Sequence, residues 1–208
     1  MSDIKRIVFA TSNKGKVREI TQMTGDKEVD VKTLADIGFT DEVDETGTTF
    51  EENAYIKAKA VYEYVKDLEG YKGTDDYVVL ADDSGLEIDY YDKAPGVYSH
   101  RWLGDRTYPQ AMTDVMNDMK DVPKEKRTAR FVCAMSAIKA DGENKGSRET
   151  CEGYIAYEMK GENGFGYDPF FYMEEFGCTT AQMSPEQKNE ISHRGKALRS
   201  ILGKLGII

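Results

Sequence analysis

Residues 78–92 read VVLADDSGLEIDYYD. The first four, Val78, Val79, Leu80 and Ala81, have the composition of a buried strand, and the run stops on adjacent carboxylates, Asp82 and Asp83. Ser84 and Gly85 are expected to break the run, and a second short apolar stretch spans 86–88. Two acids at the mouth of a buried strand are unfavourable unless a cation lies beside them. A hard, oxygen-seeking cation such as Mg²⁺ turns that repulsion into coordination. A hairpin whose Asp-Asp-Ser-Gly turn is turn chemistry alone accounts for the same letters, and the stretch by itself leaves both open.

The rest of the chain narrows the choice. Its 208 residues, 39% of them hydrophobic and 32% charged, suit one globular domain spanning 1–208, or one domain in two lobes, with an ample core. No apolar run reaches the length of a membrane span, and the start, MSDIKRIVFATSNKGK, lacks a signal-peptide pattern. Cys133, Cys151 and Cys178 are odd in number and far apart, so thiols in a reducing cytoplasm are expected, not a disulfide framework or zinc site. A net charge of −10 argues against a nucleic-acid binder, which normally carries a basic face. A small phosphorylated molecule stays open, because a few lysines and a divalent cation reverse the field locally.

Upstream, residues 4–10 (IKRIVFA) form a buried strand that runs into Thr11-Ser12-Asn13-Lys14-Gly15-Lys16 and then a helix over 17–23. Strand, short polar turn, helix aims backbone N–H groups at an anion, and Lys14 and Lys16 add charge. The Walker A spacing is absent. Residues 29–39 make a second strand and turn, and the acidic run 41–45 ends on Glu45. Thr49 and Glu52 then have capping-box spacing. Phe50, Ala54, Ala58, Val61, Val65 and Leu68 recur at helical intervals, which predicts an amphipathic helix over 50–68, with Asn53 and Lys57 sharing one face. Downstream come a tight turn at 93–96, a helix over 108–119 with a methionine stripe, and a strand over 128–139. A turn is expected at 141–147 and an antiparallel partner strand over 150–157. Strands and helices interleave, so the fold class is α/β with a mixed sheet.

Two clusters close the chain. Residues 161–172, GENGFGYDPFFY, set three glycines and five aromatics around Asp168, so backbone can approach closely beside a flat stacking surface. Ser184 and Pro185 start a helix containing Lys188, and His193 and Arg194 open a final helix; these three cations make an anion clamp. Lysine-bearing segments, the acids Glu45, Asp82 and Asp83, an aromatic pocket and this clamp together point to a nucleotide.

The strings TSNKGK, ETGTTFEENAYIKAKA, LADDSGLEID, APGVYSHRW, GFGYDPFF and KNEISHRGKAL resemble those of the inosine triphosphate pyrophosphatase family, in its order and spacing, from Ile4 to about Leu202. The resemblance implies a two-lobed fold around a long twisted mixed β-sheet, helices on both sides, the active-site cleft between the lobes, and a homodimer. It implies Mg²⁺-dependent hydrolysis of ITP, dITP or XTP to the monophosphate and pyrophosphate. On the same basis, residues 11–16 (Thr11, Ser12, Asn13, Lys14, Gly15, Lys16) and Lys57 bind phosphates. Glu45 and Asp83 hold the metal, Asp83 accepts the proton, and Ser84 touches substrate. Phe165, Gly166, Tyr167 and Asp168 receive the base, with Lys188, His193 and Arg194 completing the pocket. Asp82 is expected to hold geometry or a further metal site, and an exchange of roles with Asp83 stays open. Donors from Arg194 or His193 would pair with a six-oxo purine and stay unpaired against adenine. A related pyrophosphatase for other altered bases, and a nucleotide sensor without turnover, stand beside this reading.

Overall fold

A computed structural model describes residues 4–25 and 28–208. Its elements run β1 (Arg6–Phe9), α1 (Lys14–Thr24), β2 (Asp30–Thr33), α2 (Phe50–Val65), β3 (Tyr77–Ile88), α3 (Tyr108–Asp118), β4 (Thr128–Lys139), β5 (Asn144–Ile155), β6 (Phe171–Met173), β7 (Cys178–Thr179), α4 (Pro185–Ile191) and α5 (His193–Lys204). The strands form one seven-stranded sheet in the order β2-β1-β3-β4-β5-β6-β7. β1 pairs parallel with β2 and β3, whereas β6 pairs antiparallel with β5 and β7, so the sheet is mixed as expected. The chain divides into two compact units. One holds residues through Asp83, Cys133–Glu149 and Arg194–Ile208; the other holds Ser84–Val132 and Thr150–His193.

In the first unit the period-two alternation of strand side chains sorts the core into layers. Ile7 and Phe9 of β1 and Val78 and Leu80 of β3 pack with Ile20 of α1 and with Ala197, Leu198, Ile201 and Leu202 of α5. Val8, Tyr77 and Val79 point the other way, to Val61 and Val65 of α2. Ala81 continues that second face and packs on Ala58 of α2. Helices therefore cover both faces here. In the second unit Met112, Val115 and Met119 pack on Leu86, Ile88, Phe170 and Phe171, so the methionine stripe serves the core.

Three expectations need correction. Ser84 and Gly85 do not break the central run: β3 is one strand from Tyr77 to Ile88, which excludes the hairpin. Turn propensity is overridden there by burial, since Leu86 and Ile88 are fully buried at alternate positions. The turn placed at 141–147 is shorter, because β5 begins at Asn144; Lys139 N–H donates to the Glu143 carbonyl across a four-residue connection in which Gly142 has φ +85°. The first helix starts at Lys14, inside the segment read as a loop, because Asn13 caps it. None of the three cysteines is in a disulfide. Among the described residues no helix is long and apolar enough to cross a membrane.

Candidate active site

Adjacent residues of a strand face opposite ways, so the parity that sorts the core also separates the two aspartates. Asp83 falls on the α2 face with Val79 and Ala81; Asp82 falls on the α1/α5 face with Val78 and Leu80. The hydrogen bonds agree. Asp83 Oδ2 accepts from Asn53 Nδ2 of α2 at 3.1 Å, and Lys57 Nζ, one turn further along, stands 3.7 Å from Asp83 Oδ1. The same ammonium lies 2.8 Å from Glu45 Oε1, so one lysine joins carboxylates from two segments far apart in sequence. The helix that delivers it starts on the capping box: Thr49 accepts from Glu52 N–H, and Glu52 accepts from Thr48 and Thr49 N–H.

Burial pushes the Asp83 carboxyl above its ordinary value, and Glu45 and Asp82 add to the rise against the pull of Lys57 and Asn53. Burial acts on Lys57 in the opposite sense, but Asp83 and Glu45 outweigh it and hold its ammonium above the ordinary lysine value. A carboxylate with raised proton affinity beside a firmly charged ammonium can take a proton from water while its neighbour attracts an anion. Among the described residues no three histidine, cysteine or acidic side chains gather into a metal-holding group. The two-carboxylate set of Glu45 and Asp83 still fits Mg²⁺, which takes one or two protein carboxylates and completes its shell with phosphate oxygens and water. That pair already draws in a cation, the Lys57 ammonium.

On the other face of β3, the Asp82 side chain is 1% exposed and accepts both bonds of Lys16 Nζ, at 2.8 and 2.7 Å. Arg194 Nε lies 3.8 Å away, and the same guanidinium approaches Glu19 at 4.0 Å. Burial alone would raise the Asp82 carboxyl, but Lys16 and Arg194 bring it down to about 2. Asp82 is therefore the anchor of two cations. In the segment 11–16, Thr11 Oγ1 accepts from Asn13 N–H, while Asn13 Oδ1 accepts from Gly15 N–H at 2.8 Å and from Lys16 N–H at 3.4 Å. Two of the N–H groups expected to aim at an anion are thus held by the cap. Ser12, Lys14 and Gly15 are exposed.

In the second unit, Ser84 is half-buried on β3. The Phe165 ring is 59% exposed, with Lys188 Nζ 5.1 Å from its centre. Gly166, at φ +65°, lies against Tyr108, whose ring packs edge-on to Tyr167. Tyr167 O–H donates to the Ser99 carbonyl at 2.8 Å, and burial pushes its phenol up to about 12. Asp168 is buried and pairs with Lys188. His193 is buried and stacks on Phe131, centroids 5.0 Å apart. Each of the three cations expected in the clamp has a partner of its own: Lys188 pairs with Asp168, His193 stacks on Phe131, and Arg194 stands beside Asp82 and Glu19.

Asn53 is the residue to which the sequence reading gave no role. It is fully buried, its Oδ1 accepts from Gly47 N–H at 2.8 Å, and its Nδ2 serves Asp83, so one amide spans the Glu45 segment and the strand. A Cβ on Gly47 would lie 2.6 Å from that Oδ1, so the glycine is required by the close approach. The signal was present: Asn53 and Lys57 interrupt an apolar stripe otherwise kept by Phe50, Ala54, Ala58 and Val61.

Residues 7–204 match the Ham1 family. The chain is 42% identical to the dITP/XTP pyrophosphatase of Bacillus cereus over 208 residues, covering 99% of this chain and 97% of the relative. It is 44% identical to the dITP/XTP pyrophosphatase of Bacillus subtilis, covering 95% and 96%. The solved structure of the Staphylococcus aureus Ham1 protein is similar at a TM-score of 0.84 and 36% identity, covering 97% of this chain and 98% of that one. The nucleoside-triphosphatase / dITP/XTP pyrophosphatase of Mycobacterium abscessus is similar at 0.74 and 35%, covering 95% and 98%.

Proposed function

The chain belongs to the Ham1 family, and on that premise we propose that it hydrolyses non-standard purine nucleoside triphosphates (ITP, dITP and XTP) to the monophosphate and pyrophosphate, clearing them from the nucleotide pool. The similar proteins of Bacillus cereus and Bacillus subtilis carry the name dITP/XTP pyrophosphatase, which supports the substrate class. The observation that carries the chemistry is the single ammonium of Lys57 between Glu45 and Asp83.

Water attacks the α-phosphorus, a new P–O bond forms there, and the bond to the α–β bridging oxygen breaks. Asp83 accepts the proton of that water, a role its raised proton affinity fits. Lys57 and Lys16 face the phosphates, Lys16 kept in place by Asp82, and Thr11, Ser12, Asn13, Lys14 and Gly15 line their approach. Glu45 and Asp83 would hold Mg²⁺. When bound it supplies neutralisation of the negative charge that builds on the departing pyrophosphate. Ser84 contacts substrate. Phe165 offers a face for the base, bordered by Gly166, Tyr167 and Asp168, and Lys188, His193 and Arg194 supply donors for a six-oxo purine. Residues 1–208 act as one pyrophosphatase domain, as a homodimer in the cytoplasm, with no nucleic acid or membrane partner.

A nucleotide panel with Mg²⁺, assaying pyrophosphate and orthophosphate separately, tests this. Pyrophosphate released from ITP, dITP and XTP well ahead of ATP and GTP is the expected result. Equal rates on ATP, or no turnover of ITP despite binding, would overturn it.

A further inference from the structure

Asp168 stands within the aromatic and glycine-rich run, yet its side chain is only 3% exposed and both carboxylate oxygens are engaged inside the protein. Oδ2 accepts from Phe165 N–H at 2.7 Å and from the Lys188 ammonium. Oδ1 accepts from the hydroxyl of Thr180 at 2.8 Å, and that residue is itself buried in the turn that follows β7. The turn is tied to the same loop elsewhere: Asn163 N–H donates to the Ala181 carbonyl at 3.0 Å, Asn163 Nδ2 donates to the Met183 carbonyl at 3.0 Å, and Thr179 Oγ1 donates to the Lys160 carbonyl at 2.7 Å.

We infer that Thr180 is a positioning residue for base selection, acting through Asp168 on Lys188 and on the Phe165 backbone. The inference rests on the pyrophosphatase reading and deepens it. A carboxylate with both oxygens occupied and almost no exposed surface has little left to offer a purine. It can fix where the Lys188 ammonium and the Phe165 ring stand, because one oxygen serves both and the other is held by Thr180. Without the Thr180 hydroxyl, Oδ1 loses its charge-assisted donor and the carboxylate can rotate, carrying Lys188 and the Phe165 amide with it. The triphosphate-cleaving groups lie on other segments, so the effect falls on recognition and leaves the chemical step alone.

Gly164 bounds the same carboxylate from the exposed side. It has φ +79°, and a Cβ there would stand 2.1 Å from Asp168 Oδ2. Position 164 therefore displaces the same anchor without emptying the core.

The test compares Thr180→Val, Thr180→Ser and Gly164→Ala, reading KM and kcat for ITP and for ATP, with circular dichroism to check the fold. Thr180→Val should lower the ITP-over-ATP ratio of kcat/KM about 10-fold through KM, with kcat for ITP within about twofold of the parent. Thr180→Ser keeps the hydroxyl and should retain the ratio. Gly164→Ala, whose Cβ would press on both Asp168 Oδ2 and Lys188 Nζ, should lower it through the same ion pair, and if the valine variant does not fold, Thr180→Ala removes the hydroxyl in its place and is read by the same ratio. A folded Thr180→Val with the parental ratio overturns the inference. So does a Thr180→Ser that falls as far as valine, because packing of the methyl would then be the cause. A parent chain with no preference for ITP would instead sink the activity reading, so the two failures are distinguishable.

Discussion

Asp82 and Asp83 are chemically identical neighbours, and the pleat of β3 gives them different work. Asp83 shares the α2 face with Asn53 and Lys57, where burial raises its proton affinity. Asp82 shares the other face with Lys16 and Arg194, where two cations hold it ionised down to about pH 2. The proposed proton acceptor is accordingly Asp83 and not Asp82. Asp83→Asn keeps the shape and the Asn53 contact within reach but removes the base. Steady-state turnover of ITP should fall by about 10²–10⁴-fold with the circular dichroism spectrum unchanged, and near-parental turnover would remove Asp83 from the role. Arg194, the proposed selectivity donor, is buried beside Asp82 and Glu19. Arg194→Ala should lower the ITP-over-ATP ratio by at least about tenfold while weakening binding of inorganic triphosphate far less, and competition assays read both.

At the scale of elements, α2 does most of the assembling. Its capping box fixes where it starts, so Asn53 and Lys57 emerge one turn apart on the face that meets β3. Asn53→Ala leaves the Gly47 N–H and a buried carboxylate without their shared amide. It should destabilise the fold by about 1–3 kcal/mol in urea unfolding and cut turnover as well. Stability loss with undiminished turnover would show that the amide supports the helix and not the carboxylates. β4 supplies a cross-strand device of its own: Arg130 binds Asp89, Glu87 and Glu152, and its hydrogen bonds hold the Asp89 carboxyl below its ordinary value. A depressed acid lends stability that is complete above its unfolded value and fades as pH falls through the folded one. The melting temperature lost in Arg130→Met should accordingly be larger at pH 7 than near about pH 2.5, and a loss independent of pH would contradict the assignment. Elements with unbroken periodicity were legible in the sequence: the start of α2 at Phe50 and the whole of β4 stand where their residues place them. β3 was not fully legible, because Ser84 and Gly85 carry turn preferences that burial of Leu86 and Ile88 outweighs. The role of Asn53 was hidden for another reason. A polar residue in an apolar stripe announces a partner but does not say which one.

The whole molecule gathers these devices from segments far apart in sequence. The first unit alone draws Lys16, Glu45, Lys57, Asp83 and Arg194 from the first, middle and last parts of the chain. Six short motifs in sequence made the family legible, whereas spacing could not give the partner of each cation. Lys188, His193 and Arg194 read as one clamp because they are close in sequence, yet each is held by a different group. The proposed homodimer belongs to this scale: sedimentation equilibrium should return twice the mass of the chain, and a monomer at all concentrations would rule it out. That water attacks the phosphorus beside the sugar is decided by hydrolysing ITP in ¹⁸O-labelled water with Mg²⁺ and weighing both products by mass spectrometry. The label should appear in the inosine monophosphate and be absent from the pyrophosphate; label in the pyrophosphate, or release of orthophosphate, would contradict the account.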